Sequence, residues 1–269
     1  MTLLRVLRDL CGKRNRLLVD CRRNAAETRF PTSKNRQLEN ETPIYFAVRF
    51  LGAGRRFLRR PEQANAKTFS VVQQTSYPRG VTIQQRVNPT TFALLKRISR
   101  IPLSAYETQK PWAIAVFNLK AQGMETVSSR LSVDHYVYEK TRHRAEMGGL
   151  ETIDEFARSL YEMNDRESES YLLQAIEYGQ RSPELLNETI AAWKSGSAER
   201  IYQLYSPRRN GPDGYWRWIE KRSSLWIPRI EDAMKSGKPT MIIAGALHLS
   251  GPRGVIAQLQ KRGYKLEQL

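Results

Sequence analysis

Histidine is scarce in this chain: its 269 residues include only His135, His143 and His248, and each is a candidate for acid–base work or metal ligation. His135 follows Asp134, and His143 lies eight residues further on. The pair forms neither an HxxxH nor an HExxH array, so Asp134 reads better as a group that caps or orients a helix start. His248 is placed differently, closing the apolar run at 241–244 through Gly245-Ala246-Leu247-His248 and so standing at a strand end. Two other residues invite chemistry. Glu151 follows Gly148-Gly149-Leu150, where a glycine pair lets the backbone turn sharply and present one carboxylate to a cavity. Its alternative reading is an acid at a helix N-terminus, with Thr152 capping a helix that begins Ile153-Asp154-Glu155. Arg222 falls at i+7 on a face whose other members, Tyr215, Ile219, Trp226 and Ile230, sit at i, i+4, i+11 and i+15. Such an arginine either snorkels outward along its aliphatic stem or meets a buried anion, because an unpaired buried charge is very costly.

The elements that would carry these groups can be read from periodicity and punctuation. Residues 238–269 read as strand, loop, helix, strand: an apolar run, then Gly251-Pro252, then Val255, Ile256 and Leu259 at helical spacing, Gly263 as a helix stop, and a final alternating segment. That order is the unit of mostly parallel sheets, whose ligands sit at the carboxyl ends of strands, where His248 falls. Upstream, Asn88-Pro89 opens a helix with Phe92, Leu95 and Ile98 on one face, and residues 112–119 form a buried core segment too short to span a membrane. Residues 153–176 suggest one or two amphipathic helices with the acidic stretch NDRESES between their apolar stripes. Ser182-Pro183 then matches an N-cap with proline in the first turn, and Leu186, Ile190 and Trp193 continue a helical insert up to Gly196. Asp213 is placed to cap the Arg222 helix, and Pro228 to kink it by deleting a backbone hydrogen bond.

Composition separates the first quarter from the rest. The formal charge is +17, from 44 Lys and Arg against 27 Asp and Glu, and residues 1–67 hold 16 of those bases against 6 of the acids. The cluster GAGRRFLRRP at 52–61 could grip phosphates, but no aromatic interleaving or nucleic-acid motif accompanies it, so a solvated basic tail is preferred and nucleic acid is not the expected partner. Cys11 and Cys21 make no disulfide framework and no zinc-spaced pair. No transmembrane run is present, and arginine and aspartate interrupt the N-terminal leucines that a secretory signal would keep continuous. The expected division is an irregular or non-native basic region over 1–69 and an α/β domain over 70–269.

Several motifs in order resemble the TraB/GumN family, relatives of the Tiki metalloproteases: Lys110-Pro111-Trp112-Ala113, Val133-Asp134, Gly149-Leu150-Glu151-Thr152, Trp193-Lys194-Ser195-Gly196, Arg222 with Trp226 and Ile230, and Gly245-Ala246-Leu247-His248-Leu249 through Gly254. The resemblance covers about residues 80–269. It implies an α/β fold with a mostly parallel sheet, and metal-dependent hydrolysis of a peptide or protein substrate at a divalent ion such as manganese or cobalt. It further implies that His248 and Glu151 ligate the metal, that Arg222 joins them in catalysis by stabilising oxyanion charge, and that Gly245 belongs to the cofactor-binding turn. A periplasmic or envelope location would be compatible. The chain departs from the pattern in one serious way, because the family carries two Gly-x-x-His motifs and no histidine here precedes His135. Ser223 also stands where members usually have asparagine, and Ser197 where an aspartate often follows the glycine. The expectation is therefore a hydrolase framework with impaired activity, or a binding protein that kept the fold without catalysis.

Overall fold

In the computed structural model, the described residues are 18–23, 44–49, 73–99, 102–119, 133–143, 145–207, 211–236, 238 and 240–268. The basic cluster at 52–61 and Cys11 lie outside them. Four strands pair into one sheet in the order β3-β2-β1-β4, with β1 at Leu18–Arg23, β2 at Ile44–Arg49, β3 at Thr240–Gly245 and β4 at Tyr264–Gln268. β2 runs parallel to β3, with Phe46 opposite Ile242 and Arg49 opposite Gly245. β1 is antiparallel to both of its neighbours.

This corrects two expectations. The sheet is mixed, not mostly parallel: β1 runs against the other three strands, so only one of the three pairings among the described residues is parallel. The C-terminal strand, helix and strand do point β3 and β4 the same way, but β2 and β1 lie between them. The first 69 residues are likewise not irregular throughout, since they supply two strands whose backbone groups satisfy those of β3 and β4.

The helices start where local chemistry provides partners for their free N–H groups. Asn88 accepts the N–H of Thr90 ahead of α1 (Pro89–Ile98). The turn α2 (Pro111–Ala113) opens on Pro111 and widens into a π-helix over Ile114–Leu119, and Trp112 to Val116 are buried. α3 spans Val133–Thr141, so Asp134 lies in its first turn. The region around NDRESES resolves into two helices, α4 (Ile153–Tyr161) and α5 (Asp165–Gln180), each opened by a capping box, Thr152 with Glu155 and Asn164 with Glu167. α6 (Ser182–Lys194) follows almost without a break. Arg181 both ends α5 and precedes α6, so Ser182 is the first helical residue and not the cap expected of it. α7 spans Ala198–Tyr205, with Ser197 accepting the Arg200 N–H.

The long helix α8 (Gly214–Lys235) runs through Pro228 as one continuous element. Asp213 does not cap it with its side chain, which instead pairs with Arg217 one turn along. The cap comes from another helix: Ser170 Oγ on α5 accepts the N–H groups of Asp213 at 3.2 Å and Gly214 at 2.9 Å. A Cβ on Gly214 would lie 2.3 Å from the Tyr171 backbone nitrogen, so glycine is what lets the two helices meet there. Tyr171, Tyr178, Tyr215 and Trp218 line this contact in edge-on and tilted pairs with centroids 5.4 to 5.8 Å apart. After β3 come a single helical turn, α9 (Ala246–Leu249), then α10 (Val255–Lys261) and β4.

Candidate functional site

The inward face of α8 carries the centre of the site. Tyr215, Ile219, Arg222, Trp226 and Ile230 are all buried, as the spacing requires. The arginine does not snorkel. Its side chain is 7% exposed and meets the Glu151 carboxylate, itself 6% exposed, through a two-pronged contact: Nε donates to Oε2 at 3.0 Å and Nη2 to Oε1. Trp226, one turn further along α8, donates its indole N–H to Oε2 of the same carboxylate at 3.3 Å. Around the guanidinium stand the rings of Trp218, Phe156 and Trp226, with centroids 4.3, 4.9 and 5.5 Å from Cζ.

Glu151 reaches this place from the loop between α3 and α4. Of the glycine pair only Gly149 is held close, since a Cβ there would lie 2.9 Å from the Glu151 carbonyl oxygen, whereas one on Gly148 would meet nothing within 4 Å. The rival reading of Glu151 as a helix N-terminal acid gives way to Glu155, which accepts the Thr152 N–H and pairs with Arg229 of α8. Glu151 and Glu155, from the same loop and helix, thus hold Arg222 and Arg229, which lie about two turns apart on α8.

His248 lies three residues beyond β3 within α9, and it is 7% exposed. Its ring stacks on Trp226, centroids 4.1 Å apart and planes 32° from parallel. Nε2 is 3.4 Å from Arg222 Nη1, and Nδ1 is 2.9 Å from Ser223 Oγ. Gly245 ends β3 and sits against the ring, its Cβ position 3.8 Å from His248 Cδ2, and it precedes α9 as the N-cap. The four residues expected to share a site therefore converge. His143 is exposed beyond α3, and the side chain of His135 lies outside the described residues.

Three partners escaped the sequence reading: Ser223, Trp226 as a donor, and the Trp218–Phe156 enclosure. Position on α8 carried some signal for them. Trp218 and Trp226 lie four residues either side of Arg222, where helix neighbours meet, and Ser223 adjoins Arg222 and so faces the next sector of the helix, toward α9.

The arrangement decides what the expected metal ligands can hold. Both oxygens of Glu151 are engaged by a guanidinium and one also by an indole, and the side of the imidazole facing the carboxylate is occupied by the same guanidinium. A divalent ion between His248 and Glu151 would have to take the place of Arg222, a permanent cation already matched to the carboxylate. Among the described residues no group of three or more His, Cys, Asp or Glu side chains is placed to hold a metal. The donor set does not fit a divalent ion in this geometry. What it does fit is a closed ion pair with a histidine at its edge.

A protein-family model described as the TraB/PrgY/gumN family matches residues 58–268. The matched stretch takes in Glu151, Arg222, Ser223 and His248 and leaves β1 and β2 before it. No curated protein and no solved structure matches the chain. Among the described residues no helix is long and apolar enough to cross a membrane.

Proposed function

Since the chain belongs to the TraB/PrgY/gumN family, we propose that it keeps the framework of a metal-dependent peptide hydrolase while its own hydrolytic activity is impaired. The observation that carries this reading is the two-pronged grip of Arg222 on Glu151. Hydrolysis of a peptide bond needs a group that activates water and a positive charge aimed at the developing oxyanion. Here the carboxylate and the guanidinium neutralise each other, so neither is directed at a substrate. The lack of any histidine within residues 1–134 supports the same reading, because that stretch supplies no second imidazole to the centre.

The test uses the full chain with manganese or cobalt and a mixed peptide pool, read by peptide cleavage and by thermal unfolding. No cleavage above the metal-only control and no metal-dependent rise in Tm are expected. Metal-stimulated cleavage that disappears in His248→Ala would overturn the proposal.

A further inference from the structure

The hydrogen-bond pattern around His248 goes beyond the question of hydrolysis and holds whether or not the chain cleaves peptides. We infer that Ser223 is a positioning residue that receives the Nδ1 proton of His248 and so turns the Nε2 lone pair toward Arg222. Arg222 fixes the tautomer. A guanidinium only donates, so the ring nitrogen 3.4 Å from Arg222 Nη1 must accept, and Nε2 therefore carries no hydrogen. The remaining ring proton is then on Nδ1. Ser223 Oγ, 2.9 Å away, is its acceptor.

The hydroxyl's own proton completes the chain. Ser223 Oγ lies 2.8 Å from the carbonyl oxygen of Ile219, one turn back on α8, and 3.4 Å from the backbone oxygen of His248. Donation to Ile219 is the shorter bond and leaves an oxygen lone pair for the imidazole. The opposite polarity, with the hydroxyl donating to Nδ1, would put a hydrogen on Nε2 and set two donors face to face. Ser223 is fully buried, so no bulk water replaces it as the acceptor. Trp226, stacked on the ring, restrains its tilt while donating to Glu151. A direction therefore runs through the site, from the ring to Ser223 to the helix backbone on one side and from Arg222 to the ring on the other. Anything that takes the place of Arg222 at Nε2 must bring a hydrogen-bond donor or an electron-pair acceptor, and an anion with no hydrogen to donate is refused.

The experiment is 15N-histidine NMR on the full chain at neutral pH. Only three histidines contribute, and His248→Gln identifies the third set of signals. The expected pattern is a pyrrole-like Nδ1 and a pyridine-like Nε2. In Ser223→Ala the Nδ1–H proton should move upfield and exchange faster with solvent, and Ser223→Thr, which keeps an Oγ, should restore the wild-type resonance. An Nε2–H tautomer or a doubly protonated ring in the wild type would overturn the inference without recourse to any variant. So would an Nδ1–H resonance that does not move in a folded Ser223→Ala.

Discussion

Arg222 and Glu151 stand 71 positions apart in the chain, yet the guanidinium of one takes both carboxylate oxygens of the other inside the protein. The pair joins a loop ahead of α4 to the middle of α8, and both members are more than nine-tenths removed from solvent. Desolvating two charges is expensive, so the pair's net contribution to stability is modest, but either partner alone would be a buried, uncompensated charge.

Arg222→Met keeps the aliphatic stem and removes the charge, and Glu151→Leu removes the carboxylate that answers it. Each single change should cost about 3–5 kcal/mol of unfolding free energy, while Arg222→Met combined with Glu151→Leu should recover a large part of that loss. Urea denaturation of the two singles and the double decides it. Additive losses would mean that the two side chains do not depend on each other.

The N-terminus of α8 is held by Ser170 of α5, not by its own preceding aspartate. Ser170→Ala should therefore lower stability by about 0.5–2 kcal/mol, the usual range for losing a cap. Asp213→Ala breaks a partly exposed pair with Arg217 and a long contact from Ser170 Oγ at 3.5 Å, and should cost under about 1 kcal/mol. Equal losses in thermal unfolding would show that Asp213 is the cap after all.

Close approach at the same junction makes Gly214 sensitive. Gly214→Ala brings a methyl against the Tyr171 and Ser170 backbone, which cannot yield as a side chain tip can, and should cost at least about 1–3 kcal/mol. Gly148→Ala, where the added Cβ meets nothing within 4 Å, serves as the control and should change little. Chemical denaturation of the two variants gives the comparison directly.

Acid should weaken the neighbouring tie between α4 and α8. The Arg229 guanidinium, assisted by the Thr152 backbone N–H, pulls the Glu155 carboxyl from its ordinary 4.5 to about 2. A carboxyl depressed in the folded state binds fewer protons there than when unfolded, so its stabilisation is complete above about pH 4.5 and is lost as pH falls toward 2. The Tm difference between wild type and Glu155→Gln should accordingly be largest near neutrality and shrink across that interval. A difference independent of pH would remove the charge from the explanation.

Much of the helical framework was legible beforehand because helix signals are local. The Thr152 cap, the Asn88-Pro89 opening and the apolar stripe of α8 each depend on residues within about four positions of one another. The stripe also put Arg222 on the apolar face, leaving it either to snorkel outward or to meet a buried anion. Boundaries were less secure where two helices share a junction, as at Arg181 between α5 and α6.

The amino-acid order thus settled which sides of α1 and α8 are apolar, where several helices begin, and that Arg222 needs an answering charge if it is not to snorkel. Which carboxylate answers it, which serine orients His248, which helix caps α8 and how β1 reverses the sheet were decided only by tertiary packing. Those choices depend on chain segments tens to hundreds of residues apart, and no period or spacing along one segment records the direction from which another will arrive.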